Sequence, residues 1–252
     1  MTKTVFITGA TSGIGKACAE KFAAEKYNLI ITGRRKERLD DLQAALTKEY
    51  AVKVWSLCFD VQQKADVFAQ VAALPEDWQQ VDILINNAGL ALGREPFDEA
   101  NMDDWETMLN TNVHGLLYVS RAVMPLLKRS AAAHIINIVS IAGKEVYENG
   151  NVYCATKFAV DTLSKSMRID LLKHGIKVTA VHPGAAETEF SVVRFKGDEQ
   201  KAAATYQGFE PLTGADIAAS VYYCASLPPH ICINDLVITC LAQAGPNHLF
   251  KK

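Results

Sequence analysis

Seven short runs of apolar residues punctuate the chain, at Thr4–Thr8, Leu29–Thr32, Val52–Phe59, Val81–Ile85, His134–Val139, Lys177–Val181 and Leu236–Thr239. They are apolar on both faces, as strands of a buried parallel sheet require. Between them lie longer segments in which apolar residues recur at helical spacing, for example Lys16–Lys26, Lys36–Tyr50, Asp103–Leu127 and Val152–His174. Strand and helix in regular alternation predict a doubly wound α/β fold, a Rossmann-type parallel sheet of about seven strands flanked by helices. One long stretch breaks the rhythm. Glu187–Pro211 holds no strand-like run, and its mixture of Phe, Arg, Lys and Gly predicts a helical lid over a site at the strand ends. There is no linker-like cluster and no repeat at fixed period, so residues 1–252 are expected to form a single domain.

Composition narrows the partners. With 26 Lys and Arg against 28 Asp and Glu the net charge is −2, which gives no basic footprint for nucleic acid. No apolar run reaches the ~18 residues of a membrane helix, and Val5–Ile7 has neither a basic approach nor a cleavage site behind it. A soluble, cytoplasmic protein acting on a small molecule is expected. The six cysteines contain no CxxC pair and the six histidines no HExxH or HxH spacing, so neither a disulfide framework nor a metal site is expected. Cys154, beside a tyrosine of interest, reads as packing.

The first strand runs through Thr8-Gly9-Ala10-Thr11-Ser12-Gly13-Ile14-Gly15 into a helix. Glycines in such a turn let backbone approach a pyrophosphate, and the free N–H groups at the helix start attract its charge. The ribose reader of a dinucleotide fold stands about 20 residues further on, an acid for a free 2′-hydroxyl or an arginine for a 2′-phosphate. Here the residues are Arg34 and Arg35, whose planar forks suit phosphate and favour NADP over NAD. Two solvated arginines opening a surface helix are the plainer alternative. Asp60, followed by Val61, is placed either to accept from the adenine amino group or to cap the next helix.

Downstream, Tyr153 and Lys157 stand four residues apart, on one helical face. A free tyrosine, with a pKa near ~10, exchanges protons poorly at neutral pH. An adjacent ammonium and an oxidised nicotinamide favour the phenolate and fit it for general acid/base work. Ser140 closes the fifth strand and can hydrogen-bond a reacting oxygen as its charge changes.

Taken together, TGATSGIG, Asn86-Asn87-Ala88-Gly89, Asn112-Val113-His114-Gly115, Ser140, Tyr153 with Lys157, and Pro183-Gly184 with Thr188 resemble, in order and spacing, the short-chain dehydrogenase/reductase family over essentially the whole chain. The resemblance implies that Tyr153 is the acid/base. Lys157 both depresses its pKa and binds ribose hydroxyls, Ser140 holds the substrate oxygen, and Asn112 opens its helix around a proton-relay water. It places Gly9, Thr11, Ser12, Gly13, Ile14, Gly15, Arg34, Arg35, Asp60, Val61, Asn87, Tyr153, Lys157, Pro183, Gly184 and Thr188 around NADP, and it implies a homotetramer. Val139 departs from the pattern, standing where many members carry a second serine.

Asn86–Glu95, Asp104–Met108 and Thr188–Gly197 resemble a subgroup more closely, the NADP-dependent 3-hydroxy acid dehydrogenases that act on serine, L-allo-threonine and 3-hydroxypropionate-type acids. A small acid needs a cationic clamp, which Arg194 or Lys196 in the lid could supply, with Ser140 and Tyr153 completing the substrate site. Ala185-Ala186 is smaller than the pair expected after the Pro-Gly turn and leaves room. Two other readings stand beside this one: reduction of a larger carbonyl such as a 3-oxoacyl thioester, sugar or steroid ketone, and a nucleotide-sensing protein without turnover, which has no need of an acid/base pair.

Overall fold

A computed structural model describes residues 2–252. Alternation along the strands decides the layers. In β1 (Thr4–Ile7) Val5 and Ile7 face one side of the sheet and Phe6 the other. The next strands repeat this in β2 (Asn28–Gly33), β3 (Val54–Cys58), β4 (Ile83–Asn86), β5 (His134–Ile138) and β6 (Lys177–Pro183), and β7 (Asp235–Ile238) ends the sheet. All pairings are parallel, in the order β3-β2-β1-β4-β5-β6-β7. The order reverses between β1 and β4, so a crevice opens at the carboxyl ends of those two strands.

One face is covered by α1 (Gly13–Ala24), α2 (Lys36–Tyr50) and α9 (Gly214–Ser226), which deliver Phe22, Leu39, Ile217 and Val221 onto Val5, Ile7, Leu29 and Ile31. The other is covered by α3 (Lys64–Ala72) and α5 (Leu116–Leu127), which deliver Val67, Val123 and Leu126 onto Phe6, Ile30 and Leu84. Full burial of each large side chain contributes ~1.5–3 kcal/mol, and these two slabs fix the sheet whose rim carries the site. A buried polar chain runs between them. Asn86 donates to Ser120 and to Asn137, both at 2.9 Å, and Asn137 donates to Ser164 at 2.8 Å. It fastens β4 and β5 to α5 and to α6 (Asn151–Asp170).

The structure departs from the sequence pattern in three places. Burial on both faces holds for the central strands but not at the edges, where one face is packed but Trp55 on β3 and Val237 on β7 are exposed on the other. The segment expected as one helix over Asp103–Leu127 is α4 (Met102–Leu109), a wider π turn over Asn110–Gly115, and then α5. A short antiparallel pair, β8 (Gln243–Gly245) and β9 (His248–Leu249), follows the sheet; it carries too few apolar residues to announce itself.

The interval from Glu187 to Pro211 contains two short helices, α7 (Glu189–Arg194) and α8 (Glu199–Ala204), capped by Thr188 and Asp198. It leaves the body and returns at one point. Ala186 bridges Leu212, with Glu187 donating to the Leu212 carbonyl at 2.8 Å and Leu212 to the Ala185 carbonyl at 2.9 Å. At its far end Lys196 pairs with Asp104 on α4 at 2.7 Å.

Candidate active site

A cleft of about 1130 Å³ opens at the carboxyl ends of the strands. Its floor on one side is the turn between β1 and α1. Gly9 and Gly13 have φ of +66° and +51°, and a Cβ on Gly15 would collide with the Gly9 carbonyl, so only glycine fits. Ser12 at the start of α1 makes no capping bond with its side chain, and the first turn holds no acid, which leaves N–H groups and a positive dipole end facing the cleft. Asn87 braces the turn from β4, donating to the Thr8 carbonyl at 2.9 Å and the Gly9 carbonyl at 3.2 Å. Glycines without room for a side chain, free backbone donors and arginines at the end of β2 are the donor set a dinucleotide pyrophosphate and 2′-phosphate require.

The two arginines are not equivalent. Arg34 is 60% exposed at the side chain and meets only Asp60, at 3.6 Å. Arg35 is already occupied: it donates to Thr11 at 2.8 and 3.2 Å, to Ser12 at 2.9 Å and to Glu189 at 2.9 Å, while Arg38 takes the other oxygen of Glu189 at 2.6 Å. Arg34 is therefore the free fork, and Arg35 straps the first turn of α7 to the glycine turn. Asp60 accepts from the Gln62 amide at 3.0 Å, and α3 begins after Gln63, so Asp60 closes a turn rather than capping the helix. Val61, Ile14, Pro183, Gly184 and Thr188 line the same cleft.

Further along the rim, Ser140 begins a short helical turn over Ile141–Gly143, its hydroxyl accepting from the Ala142 amide at 3.1 Å and facing the Tyr153 phenol. The carbonyl of Ser140 accepts from Gly143 at 2.9 Å and lies 3.1 Å from Nδ1 of the buried His182. Behind His182, Lys144 bridges Asp161 and Asp235 at 2.9 and 3.1 Å, and Lys165 holds Asp161 at 2.7 Å. Asp161, His182 and Asp235 bring ligand-type atoms within 4.8 Å of one another, but the chain's own ammonium groups neutralise them. Nothing in the spacing of these three residues along the sequence hints at this support.

Asn112 sits in the π turn, where the widened helix frees its side chain to reach across. Its Oδ1 accepts from Leu90 at 2.8 Å, while Nδ2 donates to the Leu90 carbonyl at 2.8 Å and to Thr156 at 3.0 Å. This ties the fourth strand's loop to α6 beside Tyr153. On α6, Lys157 donates to the Ile138 carbonyl at 3.1 Å, and burial lowers its pKa to about 8. The ammonium lies 5.8 Å from the centre of the Tyr153 ring. Burial pushes the Tyr153 phenol well above its ordinary value, opposed first by the charge of Arg194 and then by the Ser140 hydroxyl.

Arg194 and Lys196 separate cleanly. Lys196 is spent on Asp104 and is absent from the cleft lining. Arg194 enters the cleft, donates to the Tyr147 hydroxyl at 2.9 Å, and lies 4.8 Å from the Tyr153 ring centre and 5.0 Å from that of Phe190. Its Nε is buried without a partner. Tyr147 and Arg94, whose guanidinium lies 5.8 Å from the Tyr147 ring centre, line the same end of the cleft. Arg94 falls within the Asn86–Glu95 stretch that carries the subgroup resemblance, whereas no motif marks Tyr147.

Residues 3–199 match the short chain dehydrogenase family. The chain is 43% identical over 241 residues to the NADP-dependent 3-hydroxy acid dehydrogenase of Escherichia coli strain K12, covering 95% of this chain and 96% of that protein. It is 45% identical over 245 residues to the sulfoacetaldehyde reductase of Chromohalobacter salexigens, covering 97% and 96%. Among solved structures, the closed form of serine dehydrogenase complexed with NADP+ superposes with a TM-score of 0.92 at 42% identity, covering 99% of both chains.

Proposed function

The chain belongs to the short chain dehydrogenase family, and from that membership we propose that it is an NADP-dependent oxidoreductase interconverting a small 3-hydroxy acid of the serine, L-allo-threonine or 3-hydroxypropionate type and its carbonyl product. NADP supplies the hydride acceptor in one direction and the donor in the other. Arg34 receives the 2′-phosphate, the turn through Gly9, Thr11, Ser12, Gly13, Ile14 and Gly15 takes the pyrophosphate, and Asn87, Lys157, Pro183, Gly184 and Thr188 hold the nicotinamide end. Ser140 holds the substrate oxygen, Tyr153 takes its proton during oxidation and returns one during reduction, and Asn112 positions the water through which that proton exchanges. Residues 187–211 act as the substrate lid of a single catalytic domain.

The observation that carries the substrate class is the placement of Arg194. Its guanidinium lies 4.8 Å from the centre of the Tyr153 ring in the same cleft, which supports a short substrate whose acid group stands close to the reacting hydroxyl. A β-hydroxy sulfonate keeps that spacing, which makes sulfoacetaldehyde the second substrate to consider in view of the 45% identical relative. The deciding experiment follows nicotinamide absorbance with serine, L-allo-threonine, 3-hydroxypropionate and isethionate against NADP+ and NAD+, and with an acetoacetyl thioester against NADPH and NADH. Turnover of the acids with NADP is expected, and turnover of the thioester alone would move the assignment to a larger carbonyl. We also infer a cytoplasmic homotetramer. Exposed apolar residues such as Val237 and Leu241 at the β7 edge support association, and light scattering measures it. Among the described residues no helix is long and apolar enough to cross a membrane.

A further inference from the structure

A buried phenol is a poor base, so with Tyr153 as the proton-exchanging group, the reading on which this inference rests, every group around the ring matters. From α6 it faces Lys157 and Cys154, from the turn after β5 Ser140, from the loop before α6 Tyr147 with Arg94 beyond it, and from α7 Phe190 and Arg194. Two of these are cations close to the ring, and they differ. The Lys157 ammonium is 5.8 Å from the ring centre, engaged with the Ile138 carbonyl, and its proton is loosened by burial. The Arg194 guanidinium is nearer, at 4.8 Å, and a guanidinium keeps its charge at any working pH.

We propose that Arg194 is a positioning residue of the acid/base machinery, acting through Tyr153: laid against the phenol ring from the lid, its guanidinium favours the phenolate and sets the pH at which Tyr153 accepts the substrate's proton. A cation at a ring meets the electron-rich π system, and that system carries a full negative charge once the phenol ionises, so the attraction grows on loss of the proton. The geometry is held, not incidental. The Arg194 carbonyl accepts from Gly93 at 3.0 Å, one end of the guanidinium is bonded to Tyr147 at 2.9 Å, and Phe190 supports it at 5.0 Å. Burial raises the Tyr153 pKa, and Arg194 is the foremost group opposing that rise. Because Arg194 ends α7, the phenol is tuned only while the segment from Glu187 to Pro211 is seated on the body. Closing the lid and readying the base are then one event.

The test separates this role from substrate clamping. With NADP and a 3-hydroxy acid, kcat for oxidation should rise with pH as Tyr153 ionises. An opposite charge within ~4–6 Å moves such an ionisation by about 1–3 units, so Arg194→Met should displace the limb at least about one unit to higher pH. Arg194→Gln, which keeps a donor for Tyr147 and drops only the charge, should do the same and covers the case in which the Met variant does not fold. Arg194→Lys should restore much of the limb while KM for the acid stays raised, since a lysine lacks the planar fork. The phenolate titration of each holoenzyme, read as its ultraviolet difference from the matching Tyr153→Phe protein without substrate, should move in step. A limb and a phenolate titration that stay in place while KM alone rises would overturn the proposal and leave Arg194 as a carboxylate clamp. Full turnover in Tyr153→Phe is a different result, which removes the assignment of Tyr153 and this proposal with it.

Discussion

The two halves of the cleft are built on different principles. The cofactor side, from β1 to β3, is made of backbone: glycines without room for a Cβ, a helix start with free donors, and one exposed guanidinium on Arg34. The substrate side, from β4 to β7, is made of side chains brought together from distant parts of the chain, with Ser140, Tyr147, Tyr153 and Arg194 meeting at one end. Apart from the Arg34 fork, a backbone site tolerates change among its neighbours and fails where a Cβ is added. A side-chain site fails residue by residue.

The largest effect that could break this contrast is on the substrate side. Tyr153→Phe keeps the ring and removes the proton, so kcat should fall by ~10²–10⁴ while NADP binding, followed by nicotinamide fluorescence, hardly moves. Comparable losses in both would mean that the two halves are not separable. On the cofactor side, Arg34→Asp replaces the free fork with a repulsive charge, and NADP affinity should fall at least about tenfold with little change for NAD. Equal losses for both cofactors would take the 2′-phosphate away from Arg34.

A smaller, opposite-signed effect is expected where the halves meet. Burial lowers the pKa of Lys157 to about 8 against an unfolded value near ~10.4, so the folded chain binds that proton less tightly. The resulting penalty is fully present below pH 8 and fades as pH rises from there toward the unfolded value. Lys157→Met should therefore raise the melting temperature at neutral pH, by on the order of 1–2 kcal/mol of stability after the bond to Ile138 is lost, while turnover falls. A melting temperature that drops would show that the ammonium stabilises the apo fold. Smallest of all, Lys196→Met removes a half-exposed ammonium from its pair with Asp104, worth on the order of 1 kcal/mol, and KM for the acid should rise by no more than about fivefold. An effect larger than that of Arg194→Met would return the clamp to Lys196.

The same contrast explains what is legible in the sequence. The seven strands stand where apolar runs predict them because a buried parallel sheet leaves few polar positions in its central strands. The glycine turn is legible because all its residues are neighbours in sequence. Arg35 reads as a second fork, and its engagement with Glu189 escapes the sequence for the same reason in reverse: the two lie 154 residues apart, and no local pattern shows the pair. Tyr147 and the His182 cluster behind Ser140 belong to this class, single residues without spacing. Arg194 stands out for its charge in the lid, but its approach to the Tyr153 ring depends on the path of α7, which no periodicity encodes.

The pairing of Ala186 with Leu212 has a consequence for how such proteins diversify. A segment that departs and rejoins the body at one point is a closed loop on a fixed base, and its replacement asks nothing of the sheet beneath. Grafting the equivalent segment from a relative with another preference should carry the Arg194 position with it, provided that Thr188 in the cleft and the Glu189 strap to Arg35 are kept. Exchange of that cassette, with matching changes at Tyr147 and Arg94 on the facing wall, offers a short route to a new preference on one dinucleotide platform.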